Sequence, residues 1–224
     1  MNPRNRIAFA AAGVLVAAGA TIAVLYGNSA DPVHEGPESA AESAADGPAA
    51  LAELGAVLAV PVEQRAPGAP DSLGGVVSSE GAPPAPDAVF FDADGAEKTL
   101  ADFQGKFVVL NLWATWCAPC VAELPMLAHA QELLGEDALI LPVDMEKKEV
   151  PEISAFLEAK GAGTLPTYID FDYKLMSAFE AFAVGLPYTI FIDAEGNEVA
   201  RASGPQHWDD PEAVAYIRQM AMGG

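Results

Sequence analysis

Cysteine occurs twice in this 224-residue chain, and both copies stand in one run, Trp113-Ala114-Thr115-Trp116-Cys117-Ala118-Pro119-Cys120. Thiols separated by two residues can close a disulfide and open it again. The segment before them is apolar and β-rich, and the segment after them reads as helix. In that context the spacing describes a redox pair that cycles between dithiol and disulfide. A purely structural disulfide would close too small a loop to restrict the unfolded chain much. A zinc site normally takes four ligands, and the motif supplies two. Copper(I) accepts two thiolates, so a copper-binding chaperone using the same pair stays open as an alternative. His34, His129 and His207 are scattered and do not form a metal site. No cofactor and no metal are expected.

The elements that must carry this pair can be read outward from it. Residues 106–113 form a nearly continuous apolar run with β-branched members, the pattern of a strand buried on both faces. Residues 118–134 read as a helix ended by Gly135, with Pro125 inside it as a bend. Residues 138–143 read as a second buried strand. Residues 149–160 read as an amphipathic helix, with Pro151 in its first turn and Gly161 past its end. A brief strand over 166–170 and a helix over 173–182 follow. Residues 188–193 and 197–202 flank Ala194-Glu195-Gly196 as a hairpin. Asp210 caps a last helix that begins with Pro211 and runs to about Met222. Upstream, 89–91 and the turn 92–95 start a hairpin, and 99–103 forms a short helical turn. Strands alternating with helices, then a hairpin, then a helix, predict a mixed α/β sheet with helices on both faces. Gly185-Leu186-Pro187 stands directly before an apolar strand, where a central proline is unusual. A cis peptide at Leu186–Pro187 accounts for it.

Residues 7–26 carry no charge and follow Arg4 and Arg6. Twenty helical residues span the roughly 30 Å of a bilayer's hydrocarbon. The positive flank stays in the cytoplasm and sends the rest across. Residues 1–27 are therefore expected to be a transmembrane anchor, with a cleaved signal near residues 28–30 as the competing reading. Residues 28–82 are rich in Ala, Pro, Gly and Ser and read as a flexible linker with one short helix over 51–60. The folded domain is expected over 83–224. The formal net charge is -21, and only nine of the Lys and Arg lie beyond residue 27, against all 32 Asp and Glu. Such acidity excludes nucleic acid as a partner. It suits a basic or neutral protein. Half of the composition is hydrophobic, so a core forms without disulfide staples.

The run Trp-Ala-Thr-Trp-Cys-Ala-Pro-Cys-x-x-Glu-x-Pro, followed by Gly-x-Pro ahead of Phe191-Ile192-Asp193 and Gly196, resembles the thioredoxin-like thiol–disulfide oxidoreductases of the TlpA/ResA/CcmG type. The resemblance covers residues 86–222, and its pattern stands nearest to TlpA. It implies a thioredoxin-like fold and a membrane-anchored reductase of the inner membrane, with its catalytic domain in the periplasm. The implied partners are exported proteins with disulfides, such as copper-site or cytochrome maturation factors. By motif, Cys117 matches the attacking cysteine and Cys120 the resolving one. Glu123, which by itself reads as a solvated helix glutamate, matches a buried acid near the pair. Pro187 matches the cis-proline. One departure is plain: the buried aspartate that thioredoxins carry on the preceding strand falls here at Asn111, which leaves the acid–base task to Glu123.

On that reading Cys117 opens a helix whose free N–H groups favour its thiolate. Pro119 fixes the backbone between the sulfurs. Trp116 is a partly exposed wall of the site, while Trp113 belongs to the core. Pro187 faces the pair, and the Leu186 backbone can add a client strand. The same residues could serve an oxidant, since direction depends on potential. With no third cysteine to relay electrons, the resemblance also implies a membrane thiol reductase as donor.

Overall fold

The computed structural model describes residues 64–223, and the expected anchor and the 51–60 helix lie outside them. Eight strands make one mixed sheet. They are β1 (Val76–Ser78), β2 (Phe90–Asp92), β3 (Glu97–Lys98), β4 (Val108–Trp113), β5 (Leu139–Asp144), β6 (Tyr168–Ile169), β7 (Tyr188–Ile192) and β8 (Glu198–Ser203). Their order across the sheet is β1-β8-β7-β4-β5-β6-β2-β3. The β4–β5 and β5–β6 pairs are parallel, and the remaining pairs are antiparallel. Among the described residues four α-helices complete the fold: α1 (Ala118–Leu134), α2 (Val150–Ala159), α3 (Lys174–Ala178) and α4 (Pro211–Ala221).

Every residue of β4 is buried. Alternate side chains divide it between two cores, as the two-residue period of a strand requires. Val109 and Trp113 join a cluster with Leu124, Leu127, Ile153, Leu157, Val214 and Ile217, so α1, α2 and α4 cover that face. Val108, Leu110 and Leu112 join Phe90, Leu175, Met176, Ile190 and Ile192 on the other, which α3 covers. This is the expected mixed sheet with helices on both faces. Among the described residues no helix is long and apolar enough to cross a membrane.

Two expectations need correction. The linker was expected to run to residue 82, but the chain is already folded from residue 64. A single 3-10 turn, Asp71–Leu73, leads into β1, which pairs with the edge of β8. Leu73 and Val76 are fully buried. Proline- and glycine-rich composition hid a strand of three residues, because its backbone partners come from β8 and not from local sequence. The helix expected over 173–182 is instead α3 followed by a 3-10 turn, Ala181–Ala183. Glu180, between them, takes a left-handed φ of 56°, which ends the helical hydrogen-bond run.

Candidate active site

The loop that leaves β4 turns at once into α1. Trp113 is buried and stacks on Phe156 with ring centroids 5.9 Å apart. The Cys117 N–H donates to the Ala114 carbonyl at 3.1 Å and closes the turn. Cys117 is the N-cap of α1, and its Sγ accepts the Cys120 N–H at 3.3 Å. A sulfur atom thus occupies the place where a capping oxygen ordinarily satisfies a free helix N–H. Cys117 and Cys120 are joined as a disulfide, S–S 2.00 Å. Cys117 keeps 5% exposure against 1% for Cys120. Ala118 and Pro119 are exposed beside it. Trp116 is 71% exposed and stands out from the surface as an apolar rim. Pro119 lies in the first turn, where a missing N–H costs nothing.

Glu123 is buried, not solvated. Its Oε1 accepts the Gln206 backbone N–H at 2.7 Å and the Trp208 Nε1–H at 2.6 Å. Its Oε2 has no partner among the described residues. Burial pushes its carboxyl up to about 7, against the pull of those two N–H donors toward the ionised form. Both cysteines lie in the hydrophobic cluster on the α1 face of the sheet, and Glu123 follows Cys120 by three residues on that helix. Asn111 is buried on the same strand face as Val109 and Trp113, and its Nδ2 donates to Thr189 Oγ1 at 3.0 Å. An amide there moves no proton, in keeping with the departure seen in the sequence.

The cis peptide at Leu186–Pro187 is present. The β4–β7 register pairs Leu112 with Tyr188, which sets Pro187 beside Trp113, at the end of β4 from which the cysteine loop departs. The Pro187 carbonyl accepts the Gly204 N–H at 3.0 Å. Leu186 packs against both cores, and among the described residues its own N–H and C=O are unpaired.

Sequence reasoning missed two parts of this region. Gln206 and Trp208 supply the donors to Glu123 across more than 80 residues, a pairing that no local spacing announces. A large indole in the polar stretch 203–209 was the one available sign. The second part follows β5. Asp144 is fully buried opposite Trp113 in the β4–β5 register. Its Oδ1 accepts the Glu146 N–H at 2.9 Å, its Oδ2 is unpartnered among the described residues, and burial pushes it up to about 7. The Glu146 carboxylate accepts the Thr115 N–H at 2.5 Å and pairs with Lys148 at 3.0 Å. Burial opposes ionisation of Glu146, but the bonds from Thr115 and Lys148 outweigh it and hold the carboxyl below its ordinary range. Lys148 also reaches the Thr115 hydroxyl. Glu146 and Lys148 thus latch the loop two residues before Cys117. His129 lies apart from this region and contacts Asp209 at 3.2 Å on the surface.

Comparison with known proteins bears on this geometry. Residues 82–200 match the AhpC/TSA family. The thiol–disulfide oxidoreductase ResA of Geobacillus thermodenitrificans is 36% identical over 114 residues, which are 50% of this chain and 63% of that protein, just under two thirds of its length. ResA of Geobacillus kaustophilus is 34% identical over 130 residues, 57% of this chain and 72% of that protein. A thiol:disulfide interchange protein of the thioredoxin family from Chlorobium tepidum has a crystal structure similar to this one. Its TM-score is 0.52 with 25% identity, covering 65% of this chain and 99% of that one. The fold is thioredoxin-like. The two Geobacillus relatives carry the ResA name, and the likeness to TlpA rests on the sequence pattern alone.

Proposed function

The chain belongs to the AhpC/TSA family, and we propose that within it this protein is a thiol–disulfide oxidoreductase that reduces disulfides of exported partner proteins. One observation carries the reading: the Cys117–Cys120 disulfide closes the N-terminus of α1, with Cys117 as its N-cap. The reaction begins from the dithiol. The Cys117 thiolate attacks one sulfur of a client disulfide, forms a mixed disulfide, and expels the other client sulfur as thiolate. Cys120 then attacks Cys117 Sγ, closes the internal disulfide, and releases the second client thiolate. Two electrons pass from the protein dithiol to the client.

Each residue has a task in this sequence. The free N–H groups at the start of α1 stabilise the Cys117 thiolate. Glu123, with its carboxyl near 7, is part ionised at neutral pH and takes the Cys120 proton as that sulfur attacks. The thiolate it creates nearby raises its proton affinity further. The unpaired backbone of Leu186 holds the client segment as an added strand, and Trp116 gives it an apolar contact.

Incubation of the reduced protein with a disulfide-bonded peptide tests the reading. Wild type is expected to turn over. Cys117→Ser is expected to abolish exchange, and Cys120→Ser to accumulate a mixed disulfide on Cys117. Turnover by Cys117→Ser at the wild-type rate would overturn it. The clients we have in view are copper-site or cytochrome maturation factors, and a membrane thiol reductase recharges the pair. The uncharged stretch 7–26 behind Arg4 and Arg6 supports attachment to the inner membrane with the domain in the periplasm. Resistance of the full chain to extraction from membranes by alkaline carbonate is the expected result. Release into the soluble fraction would contradict it.

A further inference from the structure

Both hydrogen bonds to Glu123 come from residues 204–208, beyond the stretch that matches the family. That loop is gripped from two sides. At one end the Gly204 N–H donates to the Pro187 carbonyl. On the other side stands the segment before β1. The Gly75 N–H donates to Gln206 Oε1 at 3.0 Å, and the His207 N–H donates to the Ser72 carbonyl at 2.9 Å. Gln206 Nε2 meanwhile donates to the Ser203 and Gly204 carbonyls at 3.3 and 3.0 Å. The segment is anchored by Leu73 and Val76, both fully buried in the cluster that contains Cys117 and Cys120. Gly75 is needed for its closeness: a Cβ there would lie 2.5 Å from Gln206 Nε2 and 2.7 Å from the Ser203 carbonyl.

We propose that residues 72–75 form a strap that holds the 204–208 loop against Glu123 and thereby sets the pH at which the dithiol exchanges. Gly75 and Gln206 are its positioning residues. The proposal rests on Glu123 serving the cysteine pair as described above. N–H donors favour the carboxylate, while burial favours the acid. The balance therefore depends on how closely the loop presents Gln206 N–H and Trp208 Nε1–H. Other titratable or charged groups lie on the surrounding elements: His129 on α1, Arg65 and Asp71 near the strap, His207 and Asp209 in the loop, and Asp210 and Glu212 at the start of α4. The causes of the displacement of Glu123 are burial, which raises it, and the two N–H donors, which lower it. In the oxidised protein the two sulfurs carry no proton. A strap that loosens lets the loop retreat and admits water to Glu123; burial is the larger of the opposing influences, so its relief outweighs the weakened N–H bonds and moves Glu123 toward the carboxylate.

Gly75→Ala and Gln206→Ala, each as full chain, test this from opposite sides of the contact. The Glu123 carboxyl carbon is followed by NMR against pH in the oxidised protein, with Glu123→Gln identifying its signal. The midpoint is expected to fall by about one unit in both variants, tenfold in proton affinity. The alkylation profile of the reduced protein should move the same way. A wild-type Glu123 midpoint in both folded variants would overturn the strap. A shifted midpoint with an alkylation profile indifferent to Glu123→Gln would instead overturn the role of Glu123 in exchange, and with it the strap's control of the reaction. That outcome would leave the chemistry at Cys117 standing.

Discussion

Glu123 shows how one buried carboxyl links chemistry to stability. Its ordinary value is 4.5, and burial raises it to about 7 in the folded protein. Between those values the folded state holds a proton that the unfolded chain has released. Stability therefore falls as pH rises through that window, and the full penalty applies above it. Glutamine carries no charge and keeps an oxygen for Gln206 and Trp208. Glu123→Gln should leave the oxidised protein's stability near wild type at pH 5 and raise it by about 2 kcal/mol at pH 8. Denaturant unfolding at the two pH values checks this, and an equal effect at both would contradict it. Asp144 titrates in the same window with the same sign, so it cancels in the comparison. The sequence located the cysteines and Glu123 on one helix, because a helix period is local. It could not show that Glu123 is buried. That depends on Trp208, which reaches it only after the chain has passed through four more strands and two more helices.

Among the elements, the loop between β4 and α1 is held more firmly than its small residues suggest. Glu146 accepts the Thr115 N–H and Lys148 braces both partners. Glu146→Ala should speed hydrogen exchange at the Thr115 and Trp116 amides. It should lower kcat/KM for a disulfide peptide roughly fivefold, about the worth of one hydrogen bond. Thermal stability should change little. Unchanged exchange at Thr115 would show that the latch does not hold the loop. Where an element's pattern is self-contained, its span was legible: α1 runs over the residues that the cysteine cap and Gly135 delimit. Where its partner is distant, the reading failed. β1 has only three residues and takes its identity from β8. The split after α3 turns on Glu180, whose left-handed backbone no composition rule marks.

At the scale of the whole molecule, the chain carries a net charge of -21, and the rim of its site is apolar. The field should steer cationic clients in and hold acidic ones off. Reduction of a lysine-rich disulfide peptide is expected to slow as salt rises from 20 to about 300 mM, and that of a glutamate-rich one to quicken. Equal salt responses would remove charge from client choice. The mixed sheet itself was legible because alternating strand and helix patterns leave few ways to cover a β4 that is apolar on both faces. Its extent was not, since the strap and β1 lie in sequence that looks like linker. All of this architecture serves one sulfur at the start of α1, and the rate of Cys117 alkylation by iodoacetamide against pH in the reduced protein measures it most directly. The account predicts a thiolate midpoint clearly below the roughly 8.5 of a free cysteine. A midpoint at the free value would contradict it.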